Sequence, residues 1–331
     1  MSKNRIISSV LAVIAIVGIC AGCGAKKPVS DVPSPSPVAE AKGFTINYAI
    51  EDKNYDISYD SVPKRAVSLS SFTTEMMLAL GLEANMVGTA YQDNEVLHEF
   101  KTAYESIKSL SKANVSREQM VDTAPDFLTG WLSDFKEKNH NPQFCVENGI
   151  KMYVPQCEYP NTTVETVYRD FENLGKIFKV EARAAKVIDY MKAEIKKVQD
   201  SLPANFNPKS VFIYESGSDA PYTPITALPN DIVTLAGGKN IFGDGEKSWS
   251  SVTWEEVVAL NPEYIVIMKY DEHDDFAEKM QILKNNAALA DITAIKEGNI
   301  VEIAAADLLP GVRNARAVAQ LKEAFWGKAA A

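Results

Sequence analysis

Histidine and cysteine are scarce: 331 residues contain three of the first and four of the second. Zinc and most transition ions are held by clusters of these two residue types, so a dedicated metal site is not expected. His98, His140 and His273 follow no core strand, and His273 lies in the charged run DEHDD, which disfavours a bare ion as ligand. There is no Gly-x-Ser-x-Gly elbow and no His-Glu-x-x-His helix, and GDGEKS at 243–248 lacks the GK[ST] ending of a phosphate loop. These absences speak against an enzyme, and no cofactor is expected. Basic residues are in the minority, 34 Lys and Arg against 44 Asp and Glu, and a net charge of −10 argues against nucleic acid as a partner. Long apolar runs are missing except at the start, where Lys3 and Arg5 precede the apolar residues 6–19 and small residues follow in CAGCG. That pattern is an export signal, short for a spanning helix, with an uncleaved anchor as the alternative.

The tetrapeptide Cys20-Ala21-Gly22-Cys23 is similar to a bacterial lipobox, with Cys20 where leucine is usual. The resemblance implies a signal peptide at 1–22 and lipidation of Cys23, which would anchor the protein on the extracytoplasmic face of a membrane, at the cell surface or in a periplasm. Each buried lipid methylene contributes about 0.8 kcal/mol to that anchoring. Cleavage removes Lys3 and Arg5 and no acid, leaving 32 basic and 44 acidic residues and a net charge of −12. Residues 23–42, rich in Pro, Ser, Ala and charge, form a disordered tether. Cys145 and Cys157 can then pair outside the cell or stay reduced.

From Gly43 the pattern is α/β: two similar lobes, each a mostly parallel sheet flanked by helices. TINYAI and YDISYD read as a hairpin; RAVSLS is a strand, and the helix SFTTEMMLALGL starts near Thr73 or Thr74. MVGTAY, PDFLTGW and IKMYVP follow as strands, with helices beginning at Ser116 and near PQFCVENG. Apolar spacing of three to four across 164–202 predicts one long helix, or two nearly continuous ones, joining a first lobe at 43–163 to a second at 203–331. Some 30 helical residues would reach about 45 Å. Beyond it SVFIYES, NDIVTLAGGKNIFG, VTWEEVVAL, EYIVIMK, FAEKMQIL and NIVEIA repeat the alternation.

The chain also repeats a phrase. VSREQMVDTAPDFL at 115–128 is echoed by VTWEEVVALNPEYI at 252–265, and LALGLEANMVG by VTLAGGKNIFG, with Asn85 and Asn240 in matching places. Ser116 with Gln119 and Thr253 with Glu256 have the spacing of capping boxes. Glu118 and Glu255, at the second helical position, are not needed for the caps and point outward.

These segments, with the late LPGVRNA, resemble in order the substrate-binding proteins of ABC importers for iron siderophores, haem and cobalamin, in which a single long helix joins two α/β lobes. The resemblance covers the body from Gly43 onward. It implies that Glu118 and Glu255 each dock on one subunit of a permease dimer, which would account for the repeat. It implies a ferric siderophore as ligand, or a corrinoid or haem in the alternative. A chelatase-like enzyme on a related scaffold is the rival, one that would need neither lipobox nor outward glutamates.

Ligands of open α/β sheets gather beyond the carboxyl ends of strands. That rule selects Ser70, Ser71, Phe72, Tyr91, Gln92, Trp131, Glu158 and Tyr159 in the first lobe, and Tyr214, Glu215, Trp249, Lys269, Tyr270 and Arg313 in the second. The aromatic content suits a bulky planar or greasy chelate, and the family resemblance singles out Tyr91, Trp131 and Trp249. Lys269 and Arg313 could meet carboxylate or catecholate oxygens, with a solvated surface role as the alternative for Lys269, and Tyr91 could serve haem as an axial ligand.

Overall fold

The computed structural model describes residues 43–92, 94–270 and 275–327. The expected signal peptide, Cys23, the tether and His273 lie outside the described residues.

Strands β1 (Phe44–Ile50) and β2 (Lys53–Tyr59) form an antiparallel hairpin. Its turn residues Glu51 and Asp52 both have positive φ, the geometry that matches a tight two-residue turn to strand twist. Alternation places Ile46, Tyr48 and Ile50 inward, and the Tyr59 hydroxyl donates to the Met152 carbonyl at 2.6 Å, tying the hairpin to the first sheet. That sheet comprises β3 (Ala66–Ser68), β4 (Met86–Ala90), β5 (Ser109–Ser111), β6 (Phe127–Thr129) and β7 (Lys151–Tyr153), all parallel, in the order β5-β4-β3-β6-β7. Its connections carry α1 (Ser71–Ala79), α2 (Lys101–Glu105), α3 (Arg117–Thr123) and α4 (Pro142–Glu147). The cap of α1 is Ser70, which accepts from the Thr73 amide at 3.3 Å. Thr74, one of the two expected starts, instead bonds Thr89 at 2.7 Å inside the core.

Two helices follow, α5 (Val164–Phe178) and α6 (Glu181–Asp200). Of the two forms expected over 164–202, one long helix or two nearly continuous ones, there are two helices, separated at Lys179, which adopts the left-handed conformation (φ 57°, ψ 42°). The chain turns there: a Cβ on Gly175 would come within 2.8 Å of Ala184 Cβ and 3.3 Å of Glu181 Cα, so the two helices cross in close contact. α6 leads from the first lobe to the second, and its 20 residues reach about 30 Å, not 45 Å; α5 also touches the second lobe, where its Val164 amide donates to Asp231 at 2.8 Å. Arg183 at its start donates to the carbonyls of Leu80 and Gly81 at 3.0 and 2.9 Å.

The second lobe is built from β8 (Lys209–Tyr214), β9 (Tyr222–Pro224), α7 (Leu228–Leu235), β10 (Gly238–Asn240), β11 (Trp249–Ser251), α8 (Trp254–Leu260), β12 (Tyr264–Lys269), α9 (Asp275–Asn285), α10 (Thr293–Glu297), β13 (Ile300–Ala304), α11 (Ala305–Leu308) and α12 (Asn314–Trp326), which packs on α6. β10-β8-β12-β13 are parallel, while β9 and β11 form a separate antiparallel ribbon. The strand that ends each copy of the repeated phrase, β6 or β12, lies between the first and the last strand, in chain order, of its parallel sheet. Cys145 and Cys157 are both buried and reduced. Among the described residues no helix is long and apolar enough to cross a membrane.

Candidate ligand cleft and docking residues

Most of the repeated phrase has a structural task. Ser116 and Thr253 cap α3 and α8, accepting from the amides of Gln119 and Glu256 at 3.1 and 3.2 Å. The second capping box closes, with the Thr253 amide donating to Glu256 at 2.8 Å. The first does not close as expected: the Gln119 amide donates to the Leu110 carbonyl at 2.7 Å, a partner that the acceptor-only carboxylate of Glu256 could not serve. Both helices end on a left-handed residue, Ala124 or Asn261. The acid after each proline holds the start of the neighbouring strand. Asp126 accepts from the amides of Lys64 and Arg65, each at 2.8 Å, and Glu263 from that of Ser210 at 2.9 Å. Asn85 and Asn240 each donate to a proline carbonyl, Pro63 or Pro224, at 2.8 Å.

Glu118 and Glu255 take no part in this pattern. Both are exposed, and no hydrogen bond or ion pair joins either to a described residue. Helices and strands run in opposite directions in a parallel α/β layer, so the N-termini of α3 and α8 lie at the strand carboxyl edge of each sheet.

Those edges meet across the lobes. Ser71, Phe72, Glu75 and Asn94 face Ala306, Leu309, Pro310, Gly311 and Arg313 around a residual space of about 10 Å³, room for at most one water. At this seam Glu75 and Arg313 form a bidentate ion pair, Nε to Oε2 at 2.7 Å and Nη2 to Oε1, with 7% and 8% of their side chains exposed. Arg313 also donates to the Glu95 carbonyl at 2.5 Å and lies 3.6 Å from Asp307, while Glu75 accepts from the Leu97 amide at 2.8 Å. Arg313, expected to meet ligand oxygens, is thus committed to joining the lobes. Lys269, the other cation named for that role, pairs with Glu302 at 3.0 Å.

Aromatic rings line the first-lobe side of the seam. Phe72 and Trp131 are in contact at 4.5 Å between centroids. The Trp131 loop starts at Gly130, where a Cβ would come within 2.5 Å of the Asp134 carboxylate and 2.8 Å of Leu69. Asp134 accepts from the Trp131 amide at 2.8 Å and Glu158 from that of Leu132 at 3.0 Å, so two carboxylates clamp the loop. Burial pushes both up to about 7, against the lowering effect of those amides. Tyr91 is 39% exposed with φ at 51°, an uncommon conformation for an aromatic residue and one often found at functional sites. Tyr159, half-buried, reaches the hairpin carbonyl of Ala49 at 3.3 Å.

On the second-lobe side Tyr270 donates to Glu215 at 2.8 Å, and Tyr222 stacks on Trp249 at 5.7 Å with the rings 14° from parallel. Tyr214 does not belong with them: it is fully buried against Phe212 and Trp254 and donates to the Gly217 carbonyl at 2.8 Å. Ser71 is likewise buried. Glu75 and Tyr222 escaped the sequence reading, the first because it sits inside a helix and the second because PYTP reads as a turn. No group of three or more His, Cys, Asp or Glu able to hold a metal ion occurs among the described residues.

A sequence profile described as periplasmic binding protein matches residues 67–306. The crystal structure of a periplasmic binding protein from Veillonella parvula is 32% identical, covers 88% of this chain and all of that one, and superposes with a TM-score of 0.83. An uncharacterized ABC transporter substrate-binding lipoprotein of Bacillus subtilis is 24% identical over 92% of this chain and 90% of its own length. A vitamin B12-binding protein of Photorhabdus laumondii is 25% identical over 65% of this chain and 74% of its own.

Proposed function

The chain belongs to the periplasmic binding protein family, and we propose that it is the extracytoplasmic, lipid-anchored receptor of an ABC importer, holding a metal chelate between its lobes and delivering it to a permease dimer. The favoured cargo is a ferric siderophore of the uncharged, hydroxamate kind. One observation carries this choice: aromatic residues follow the strands of both sheets, with Phe72 against Trp131 in one lobe and Tyr222 stacked on Trp249 in the other, while Arg313 and Lys269 are already paired with Glu75 and Glu302. Stacking and apolar burial can hold a neutral chelate without a counter-charge. A ferric catecholate carries several negative charges and would need a cation not already engaged. Corrinoid is the second reading, favoured by the likeness to a vitamin B12-binding protein and by the same aromatic lining.

Cys23 would carry the lipid, residues 23–42 would act as the tether, and 43–163 and 203–331 as the lobes, joined by 164–202. Glu118 and Glu255 would dock, one on each permease subunit. Paired charges of this kind set register and association rate more than affinity. The likeness to binding proteins, not enzymes, favours a receptor over a chelatase.

Titrating the purified protein with a ferric trihydroxamate, a ferric catecholate, haem and cobalamin, followed by tryptophan fluorescence and checked by equilibrium dialysis, tests the reading. Saturable binding of the trihydroxamate without the catecholate supports it. Tight binding of the catecholate alone would refute the choice of cargo, and binding of none would refute the receptor reading.

A further inference from the structure

We propose that Glu215 is a specificity-determining residue which selects chelates carrying an N–H donor arm, an ammonium most strongly, beside the stacked rings of Tyr222 and Trp249. The proposal deepens the function given above and rests on it.

Glu215 is the first residue beyond β8, at the carboxyl edge of the second sheet and next to Tyr270 at the end of β12. Its backbone amide donates to the Tyr222 carbonyl at 3.0 Å, and the Tyr222 amide to the Ser216 carbonyl at 2.8 Å, so the β9–β11 ribbon is stitched to the sheet at this point. The ribbon thereby pairs Glu215 through its backbone with Tyr222, which is 38% exposed and stacks on Trp249. The side chain is half-buried, and its orientation is fixed by the Tyr270 hydroxyl at 2.8 Å and by Ser216.

Both of those partners are neutral donors, and no cation among the described residues pairs with Glu215. The neighbouring cations are engaged elsewhere: Lys269 with Glu302, Arg313 with Glu75, and Lys279 with Asp275 at 2.6 Å and the Met268 carbonyl at 2.5 Å. A carboxylate oxygen has two acceptor sites, so one hydroxyl on each leaves Glu215 able to accept further donors. A fixed anion beside an aromatic face is a recognition site for a cation, which gains a charge-assisted hydrogen bond and a ring contact together. It would also repel a chelate whose periphery carries carboxylates, adding discrimination by exclusion.

The test uses the full-length protein and two ferric trihydroxamates that differ in one group: ferrioxamine B, which ends in an ammonium, and its N-acetylated form, which does not. Calorimetry should show the wild type binding the ammonium form about tenfold more tightly, as one charge-assisted bond allows. Glu215→Gln, whose side-chain carbonyl can still accept from Tyr270, should lose that preference by weakening on the ammonium form alone. Glu215→Asp, charged but shorter, should keep part of it. Equal wild-type affinity for the two chelates, or a preference that survives in Glu215→Gln, would overturn the inference and leave the receptor reading intact. Failure of the wild type to bind either would overturn both.

Discussion

Replacing Arg313 with methionine should destabilise the protein more than any other single change at the lobe seam. The substitution keeps most of the side-chain volume and removes the guanidinium from Glu75, whose carboxylate is 7% exposed and is left with the Leu97 amide at 2.8 Å. Breaking a buried ion pair by removing one member costs about 3–5 kcal/mol, because the remaining charge stays buried without compensation. At roughly 2 °C per kcal/mol for a chain of this size, the thermal midpoint should fall by about 6–10 °C. Glu75→Gln should cost less, about 1–3 kcal/mol, since Asp307 still faces Arg313 at 3.6 Å. Joining both in Glu75→Met with Arg313→Met should recover much of the loss, as buried pairs replaced by apolar residues often do. Urea denaturation of the four proteins gives the cycle directly. An Arg313→Met cost below about 1 kcal/mol, or strictly additive single changes, would refute the reasoning that this pair fastens the lobes.

Glu118→Arg combined with Glu255→Arg should abolish uptake in cells while leaving chelate affinity unchanged and stability within about 0.5 kcal/mol, because neither side chain holds the fold together; a loss of affinity in the purified variant would count against docking as their role. Asp134 and Glu158 each have a folded value near 7, above the unfolded carboxylate value. Their contribution to stability is therefore fully present below the unfolded value and is lost as pH rises through about 7. Asp134→Asn, which can still accept from the Trp131 amide, should make the denaturation midpoint less dependent on pH between 5 and 8, and an unchanged profile would contradict this. Gly175→Ala places a methyl 2.8 Å from the Ala184 Cβ and should cost about 1–3 kcal/mol by forcing α5 and α6 apart, whereas Lys179→Gly at the turn should be neutral or stabilising in the same denaturation assay.

Local signals carried far in the sequence. The alternation of β1 and β2 and the hydroxyl caps at Ser116 and Thr253 depend on neighbours a few positions away and occur as the spacing implies, although only the second capping box closes. The α5 and α6 boundary was harder, because no proline or glycine stands at Lys179 and a single left-handed residue leaves the apolar spacing intact on both sides. Glu75 and Arg313 are 238 positions apart, so their pairing is a product of lobe packing that no window of sequence contains. Tyr214 was misplaced by one residue: residues 211–214 are all buried on a central strand, and the chain first leaves the sheet at Glu215. Tyr222 and Trp249 belong to three-residue strands, too short for alternation to reveal.

A crystal structure with a ferric trihydroxamate bound would test the central claim most directly. The chelate should lie between the carboxyl edges of the two sheets, against Trp131 and Tyr91 on one side and Trp249 on the other, with the Glu75–Arg313 pair intact. A chelate found instead in the groove of about 370 Å³ bounded by Phe100, Lys186 and Tyr190, or one that separates Arg313 from Glu75 to bind its guanidinium, would contradict the account.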